Sequence, residues 1–279
     1  METKEIDEFK IPVLGFGTWQ MGGDTKRDTT NDEKDTLAIK TAIELGMIHI
    51  DTAELYGDGR AEELVGEAIK GFDRSKLFIT TKVKGDNLKY NEVIEAAKNS
   101  MKRMGIDYID LYLIHWPNND IPLEETMKAM NDLVDNNIVK HIGVSNFSVD
   151  QMKEAQKYSK HKIVTNQIQY SLLIRNNGIW NIDMESKIIP YCQKNNIIVT
   201  VYRPLDKGDI IKTDSPLMDE LSKKYNKSKA QIALNWIISK KNMIALFKAS
   251  NTEHIKDNLG TLDWKLDQED IEKLDKGIN

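Results

Sequence analysis

The sequence predicts a fold of the α/β class, a single closed (β/α)8 (TIM) barrel domain over residues 1–279. Short apolar runs rich in β-branched residues recur along the chain, and stretches of helical period separate them. The runs are nearly continuous rather than alternating, which is typical of parallel strands buried on both faces. A length of 279 residues suits a barrel of roughly 250 residues with small additions.

The predicted strands and helices alternate along the chain, as they do in repeated strand–helix units. The expected strands are Val13–Gly17, Met47–Asp51, Leu77–Val83, Ile109–His115, Val139–Ser145, Ile163–Gln167, Ile197–Tyr202 and Met243–Phe247. The expected helices are Asp32–Leu45, Arg60–Lys70, Asn91–Met104, Leu123–Asn136, Ser148–Lys157, Met184–Asn195 and Lys227–Ser239. The segment up to Ile11 is expected to form a short hairpin that closes the bottom of the barrel.

A closed barrel is favoured over an open doubly wound sheet. The number of strands suits a barrel, and no strand is followed by the Gly-x-Gly-x-x-Gly fingerprint of dinucleotide-binding domains. The nearest string, G-F-G-T-W-Q at residues 15–20, lacks the third glycine and does not lead into a predicted helix. The sequence therefore predicts no Rossmann domain.

Composition excludes several classes of partner. The net charge of -5 leaves no basic excess to neutralise nucleic-acid phosphates, and no apolar run reaches the ~18 residues of a membrane span. The single Cys192 cannot form an internal disulfide, which indicates a reducing compartment. The histidines lack metal-ligand spacing, and Trp180, Trp236 and Trp264 are expected to be packing residues. We expect a soluble, cytoplasmic monomer without a metal site.

Four titratable residues are expected at one end of the barrel, where strand ends and loops carry the function of TIM barrels. Asp51, Lys82 and His115 lie at the ends of three consecutive strands, and Tyr56 follows Asp51 in the same loop. A buried Lys82 would lower the pKa of Tyr56, and Asp51 would keep the ammonium charged, so that Tyr56 could act as a proton donor. A neutral His115 could donate a hydrogen bond to a carbonyl oxygen. Position alone leaves the reaction open, since a buried Asp–Lys pair can be purely structural.

The chain resembles the aldo-keto reductases in seven strings, which occur in the family's order over essentially its whole length. They are G-F-G-T-W-Q (15–20), D-T-A-E-L-Y-G (51–57), T-T-K-V (80–83), L-Y-L-I-H-W-P (111–117), G-V-S-N-F (143–147), N-Q-I-Q-Y (166–170) and K-A-S-N-T-E-H-I-K-D-N-L (248–259). The resemblance implies a barrel that binds NADP in an extended form across its mouth and reduces aldehydes and ketones by hydride transfer. It implies that Tyr56 is the general acid, that Lys82 and Asp51 tune its pKa, and that His115 orients the carbonyl.

The same resemblance implies the residues that contact the cofactor. Ser145, Asn146 and Gln167 match positions that bind the nicotinamide carboxamide, and Tyr202 matches the ring that stacks on the nicotinamide. The other implied contacts are Gly17, Thr18, Arg203, Leu205, Lys248, Ser250, His254, Asp257 and Asn258.

Two departures from the family pattern concern the cofactor. Arg203 stands where members usually have Ser or Thr, and it could either bind the pyrophosphate or point into solvent. Ala249 and His254 stand where many members have a hydroxyl and an arginine, whereas Lys248 supplies a fixed charge for the 2′-phosphate. We therefore expect a preference for NADPH, with NADH possible.

A third departure concerns the substrate pocket, whose aromatic walls are expected to be Trp19 and Trp116. The chain stops soon after the helix-like segment 266–274, and the loop Pro117–Pro122 is short. These features predict a shallow, open pocket for small aldehydes, dicarbonyls or sugar-derived ketones.

Two other functions stay open. A nicotinamide-binding regulatory subunit, like the barrel subunits of potassium channels that resemble these enzymes, would bind the cofactor with little turnover. An unrelated barrel enzyme, such as an isomerase or an aldolase with Lys82 as its Schiff-base lysine, would leave the His-Trp-Pro and Ser-Asn pairs unexplained. The intact set of Asp51, Tyr56, Lys82 and His115 favours the reductase, although a fold does not determine its use.

Overall fold

The computed structural model describes residues 1–177 and 183–278. Eight parallel strands form a closed barrel in the order β10-β3-β4-β5-β6-β7-β8-β9. These strands are β3 Leu14–Gly17, β4 His49–Asp51, β5 Phe78–Val83, β6 Ile109–Ile114, β7 Val139–Ser145, β8 Ile163–Gln169, β9 Ile198–Tyr202 and β10 Met243–Phe247. The predicted barrel is confirmed, and every predicted strand is present with bounds within two residues of the prediction.

Helices surround the barrel and connect its strands. They are α1 Asp32–Glu44, α2 Arg60–Ala68, α3 Tyr90–Met104, α4 Leu123–Asp135, α5 Val149–Tyr158, α6 Ile189–Lys194, α7 Asp209–Lys212, α8 Pro216–Tyr225, α9 Lys229–Ser239, α10 Thr252–Leu259 and α11 Gln268–Lys276. The predicted helix Met184–Asn195 begins instead as a π-helical turn, Met184–Ile188, before α6. None of the helices in the described ranges combines the length and apolar character that a bilayer crossing requires.

Three helices near the mouth of the barrel, α7, α8 and α10, were not predicted from the apolar pattern. Local signals mark two of them. Ser215 caps α8 by accepting the N–H of Met218, and Pro216 occupies its first turn. Asn251 caps α10 by accepting the N–H of His254. These caps position the loops that follow β9 and β10, which border the site.

The N-terminal hairpin closes the bottom of the barrel, as predicted. Its strands, β1 Thr3–Ile6 and β2 Phe9–Pro12, pair antiparallel. Ile6, Phe9 and Ile11 are buried in one apolar cluster with residues of β6, β8, β9 and β10. This apolar packing covers the lower end of the barrel.

The predicted packing role of the tryptophans is confirmed for Trp236, which is fully buried and stacks on Tyr170 at 5.3 Å. Trp264 is partly buried against Tyr225 on the outside of the barrel. Trp180 lies outside the described residues.

Candidate active site

A cavity of about 780 Å³ opens at the carboxyl ends of the strands. Most of the residues predicted for the site line it, although they come from the ends of seven strands and from one helix, α10. These predicted residues are Gly17, Trp19, Asp51, Tyr56, His115, Trp116, Ser145, Asn146, Gln167, Tyr202, Arg203, Leu205, Lys248, Ser250, His254, Asp257 and Asn258. The topology of the barrel therefore brings together residues that are up to about 240 positions apart in the chain.

Two predicted residues lie behind the cavity wall rather than on it. Lys82 is fully buried, and it reaches the cavity only through its contacts with Asp51 and Tyr56. Thr18 is also fully buried, and its hydroxyl donates to the backbone carbonyl of Asp51 at 3.1 Å. The Thr18 hydroxyl therefore ties β3 to β4, and the predicted contact of Thr18 with the cofactor stays a prediction.

Lys82 is the centre of a buried hydrogen-bond network. Its Nζ donates to Asp51 Oδ1 at 2.6 Å, to the carbonyl of Thr52 at 2.9 Å and to Tyr56 Oη at 3.2 Å. Gln167 Nε2 donates to the second carboxylate oxygen of Asp51 at 2.9 Å. Burial lowers the pKa of Lys82, but the charges of Asp51 and Tyr56 outweigh it and raise the net value. Lys82 is thus held as an ammonium beside the phenol.

The pKa of Tyr56 differs in direction from the prediction. Burial raises the pKa of the phenol, and this exceeds the lowering by the Lys82 ammonium and by Arg203. The expectation of a net decrease is therefore wrong for this chain without a ligand, because burial could not be weighed from the sequence. A raised pKa keeps Tyr56 protonated at neutral pH, so the phenol carries a proton to donate, and the Lys82 ammonium opposes the effect of burial by stabilising the phenolate.

His115 lies beside Tyr56, with the two ring centroids 5.4 Å apart. Burial lowers the pKa of His115 well below its ordinary value, and the nearby charge of Lys82 adds to this effect. The ring is therefore neutral, as predicted. Its Nδ1 is buried without a hydrogen-bond partner, so no neighbour of Nδ1 holds the ring in one tautomer.

The amide side chains of the rim are largely occupied by one another. Asn146 Nδ2 donates to Ser145 Oγ at 2.9 Å and to the His115 carbonyl at 3.3 Å, and Asn146 Oδ1 accepts from the Tyr202 hydroxyl at 3.0 Å. Gln167 Nε2 donates to Asp51. The side-chain oxygen of Gln167 is its acceptor atom and can accept a hydrogen bond from a ligand. To bind a carboxamide, the Asn146 side chain must share or give up one of its hydrogen bonds to Ser145, His115 and Tyr202.

Two cations that were predicted for the site line the cavity away from the catalytic cluster. None of the ion pairs within residues 1–177 and 183–278 involves Arg203 or Lys248. Burial lowers the pKa of Lys248, and the opposing effect of Asp35 is smaller. Arg203 has a left-handed backbone with φ of 54°. It lines the cavity, which supports a role in binding the pyrophosphate rather than an orientation into solvent.

Several lining residues were missed by the sequence analysis. They come from the segment after β9, from the helices that cover the cavity and from positions beside predicted ones: Gln20, Leu55, Pro204, Ile211, Ala230, Leu246 and Phe247. The string D-K-G-D at 206–209 is a turn signal, and Lys207 and Gly208 both have positive φ. Nothing in the local sequence indicates that Ile211 and Ala230 reach the same cavity.

Known proteins match nearly the whole chain. A model described as the aldo/keto reductase family matches residues 13–279. Methylglyoxal reductase YeaE of Escherichia coli is 35% identical over 273 residues, which covers 96% of this chain and 92% of that protein. Glyoxal reductase of Bacillus subtilis is 31% identical and covers 95% of this chain and 88% of that protein.

Solved structures agree with the sequence relatives. The thermostable aldo-keto reductase Tm1743 superposes with a TM-score of 0.91 at 39% identity and covers 99% of both chains. An aldo/keto reductase of Klebsiella pneumoniae, determined in complex with NADP and acetate, has a TM-score of 0.84 at 31% identity and covers 96% of this chain and 91% of that one. The chain belongs to the aldo/keto reductase family.

Proposed function

We propose that the chain is an NADPH-dependent reductase of small aldehydes and dicarbonyls, with Tyr56 as the proton donor. The observation that carries the proposal is the buried series of contacts from Asp51 through Lys82 to Tyr56, which ends at the cavity. A protonated phenol backed by a fixed ammonium is suited to protonate an oxygen on which negative charge develops.

The residues of the cavity fit a nicotinamide dinucleotide. Rim residues of β7 and β8 would hold the carboxamide through Ser145 and Gln167, and the unpaired Arg203 and Lys248 would neutralise phosphates. The Klebsiella relative, whose structure contains NADP, supports this assignment. When bound, the cofactor supplies the hydride. Asn146, Tyr202 and the remaining predicted cofactor residues that line the cavity are proposed as further contacts.

The chain's own residues orient the carbonyl and move the proton. Neutral His115 donates a hydrogen bond to the carbonyl oxygen from one face, which directs the oxygen towards Tyr56 Oη. Tyr56 then releases its proton to this oxygen, and Lys82 stabilises the phenolate. Asp51 fixes the ammonium by accepting from Lys82, and Gln167 holds the second carboxylate oxygen in place.

The aromatic walls favour small substrates. Trp19 packs edge-on against Tyr56 with the ring centroids 4.8 Å apart, and Trp116 stacks beside His115 at 6.1 Å. The names of the Escherichia coli and Bacillus relatives, methylglyoxal and glyoxal reductase, support dicarbonyls as the substrate class. We further propose that the whole chain is one domain and acts as a cytoplasmic monomer, since few large apolar side chains are highly exposed in its described part.

Steady-state oxidation of NADPH with a panel of glyoxal, methylglyoxal, a nitrobenzaldehyde and glyceraldehyde tests the proposal. We expect turnover, fastest with the dicarbonyls. Tight binding of NADPH without turnover of any carbonyl would contradict the proposal and favour a regulatory nicotinamide-binding role. Borohydride trapping of a substrate on Lys82 would indicate Schiff-base chemistry instead.

Lys248→Ala is expected to weaken NADPH selectively. Removal of a charge-assisted contact to the 2′-phosphate costs about 1.5–3 kcal/mol, which is about 10–100-fold in affinity. NADH lacks this phosphate, so its KM should change by less than about twofold on this account. The ratio of kcat/KM for the two cofactors in the variant and the wild type is the measurement. An equal loss with NADPH and NADH would remove Lys248 from the 2′-phosphate site.

Arg203→Ala is expected to weaken both cofactors by the same factor. NADPH and NADH share the pyrophosphate, and loss of a charged donor to it costs about 1.5–3 kcal/mol in either case. Titration of each cofactor by its fluorescence measures the effect, with Lys248→Ala as the matched cation variant. A loss confined to NADPH, or no loss, would show that Arg203 does not bind the pyrophosphate.

A further inference from the structure

Glu54 joins the two segments that carry the reacting side chains. It lies between β4 and α2, two residues before Tyr56. Glu54 Oε1 accepts from the backbone N–H of Lys84 at 2.7 Å and from Asn87 Nδ2 at 3.1 Å. The backbone N–H of Glu54 also donates to the carbonyl of Lys82 at 3.3 Å. All three hydrogen bonds reach the end of β5 or the turn that follows it.

These bonds form a bridge parallel to the contact between Tyr56 and Lys82. Lys84 lies two residues beyond Lys82, just as Glu54 lies two residues before Tyr56. The segments 54–56 and 82–84 are therefore joined at both ends, by the 2.7 Å bond from the Lys84 N–H to Glu54 Oε1 and by the 3.2 Å bond from Lys82 Nζ to Tyr56 Oη. In the described structure, Lys82 reaches the phenol by that one hydrogen bond, which is long enough to be lost after a small shift.

Other contacts preserve the loop when this bridge is removed. The N–H of Tyr56 donates to the carbonyl of Ala53, and the N–H of Gly57 donates to the carbonyl of Asp24 at 2.7 Å. These bonds hold the turn and attach it to the segment after β3, but neither connects it to β5. The contribution of the Glu54 side chain is therefore the spacing between the Tyr56 loop and the Lys82 strand.

We propose that Glu54 is a positioning residue that holds the Tyr56 loop against the end of β5 and keeps Tyr56 Oη within hydrogen-bond distance of Lys82 Nζ. Its kinetic consequences rest on the proposed reductase function. The two bonds accepted by Glu54 Oε1 depend on an acceptor oxygen and not on the charge, so Glu54→Gln retains them. Glu54→Ala removes both and leaves only the backbone bond to the Lys82 carbonyl.

Three variants test the proposal kinetically. Glu54→Ala should lower kcat with methylglyoxal about 10–100-fold, because displacement of a catalytic group by about 1 Å has effects of this size. The Kd of NADPH should change by less than about twofold and the kcat of Glu54→Gln by less than about threefold, since neither depends on the lost bridge. The control is Glu125→Ala. Glu125 is another partly buried glutamate, whose Oε1 accepts the N–H of Tyr90 at 2.9 Å on the outside of the barrel, and its loss should leave kcat unchanged.

Asn87→Ala provides a milder variant in case Glu54→Ala does not fold. It removes one of the two donors to Oε1, so kcat should fall in the same direction but less. An unchanged kcat in Asn87→Ala together with an unchanged kcat in any folded Glu54→Ala protein would overturn the proposal. Equal losses in Glu54→Ala and Glu54→Gln, or parallel losses of kcat and cofactor binding, would also overturn it.

Crystal structures of the variants provide a readout that does not depend on activity. The distance from Tyr56 Oη to Lys82 Nζ should stay within hydrogen-bond range in Glu54→Gln and exceed it in Glu54→Ala. An unchanged distance in Glu54→Ala would overturn the proposal. If the wild type reduces no aldehyde, the proposed function fails, and this distance still decides the role of Glu54.

Discussion

Tyr56→Phe is expected to lose about 10²–10⁴-fold in kcat, the usual contribution of a general acid. The substitution removes one oxygen and leaves the ring, so the packing of Trp19 against position 56 is retained. Lys82 keeps its bonds to Asp51 and to the Thr52 carbonyl, so the network beneath the ring remains charged and hydrogen-bonded. The loss should therefore be confined to the chemical step.

The measurement is the initial rate of methylglyoxal reduction, combined with the Kd of NADPH for both proteins. We expect the Kd of the variant to be within about twofold of the wild-type value, because an interaction made only in the transition state affects kcat alone. A variant that retains most of its kcat would show that another group supplies the proton, and His115, which lines the cavity beside Tyr56, is a candidate.

Lys82→Met is expected to destabilise the fold as well as to abolish activity. The Lys82 side chain is 0% exposed and that of Asp51 is 4% exposed, so the substitution leaves a carboxylate buried without its counter-ion. Breaking such a pair costs about 3–5 kcal/mol of unfolding free energy. Met fills a similar volume, so the cost arises from charge and not from a cavity.

Denaturant unfolding of three proteins separates this effect from general damage. Adding Asp51→Asn to Lys82→Met should restore most of the lost stability, since no charge is then left unpaired. Lys98→Met removes a lysine whose partner, Glu95, is exposed, and it should cost less than about 1 kcal/mol. A loss of this smaller size in Lys82→Met would show that Asp51 is solvated or protonated when Lys82 is absent.

The fold was predictable because its signals repeat. Most residues of the barrel strands are buried on both faces, so most strands include a short apolar run, often β-branched, that is visible without tertiary information. The π-helical start at Met184 and the short helix Asp209–Lys212 depend on packing at the mouth of the barrel. The spacing of apolar residues along the sequence gives no information about such packing.

The catalytic residues were predictable because a barrel brings the ends of its strands together. Asp51, Lys82 and His115 follow from that rule and from the chemistry of the side chains. The hydrogen bond from the Thr18 hydroxyl to the Asp51 carbonyl could not be predicted, because it depends on how β3 lies against β4. The direction of the Tyr56 pKa also could not be predicted, since it depends on the balance between burial and the Lys82 charge.

The most direct test of the central claim is a single-turnover experiment in which NADPH bound to excess protein is mixed with methylglyoxal. It separates chemistry from cofactor binding and product release. If Tyr56 is the proton donor of a carbonyl reductase, the wild type oxidises its bound NADPH rapidly, and Tyr56→Phe binds the same amount of NADPH but leaves it reduced over that time. Equal rates in the two proteins would contradict the role of Tyr56, and NADPH that persists on the wild type with every aldehyde would contradict the reductase function itself.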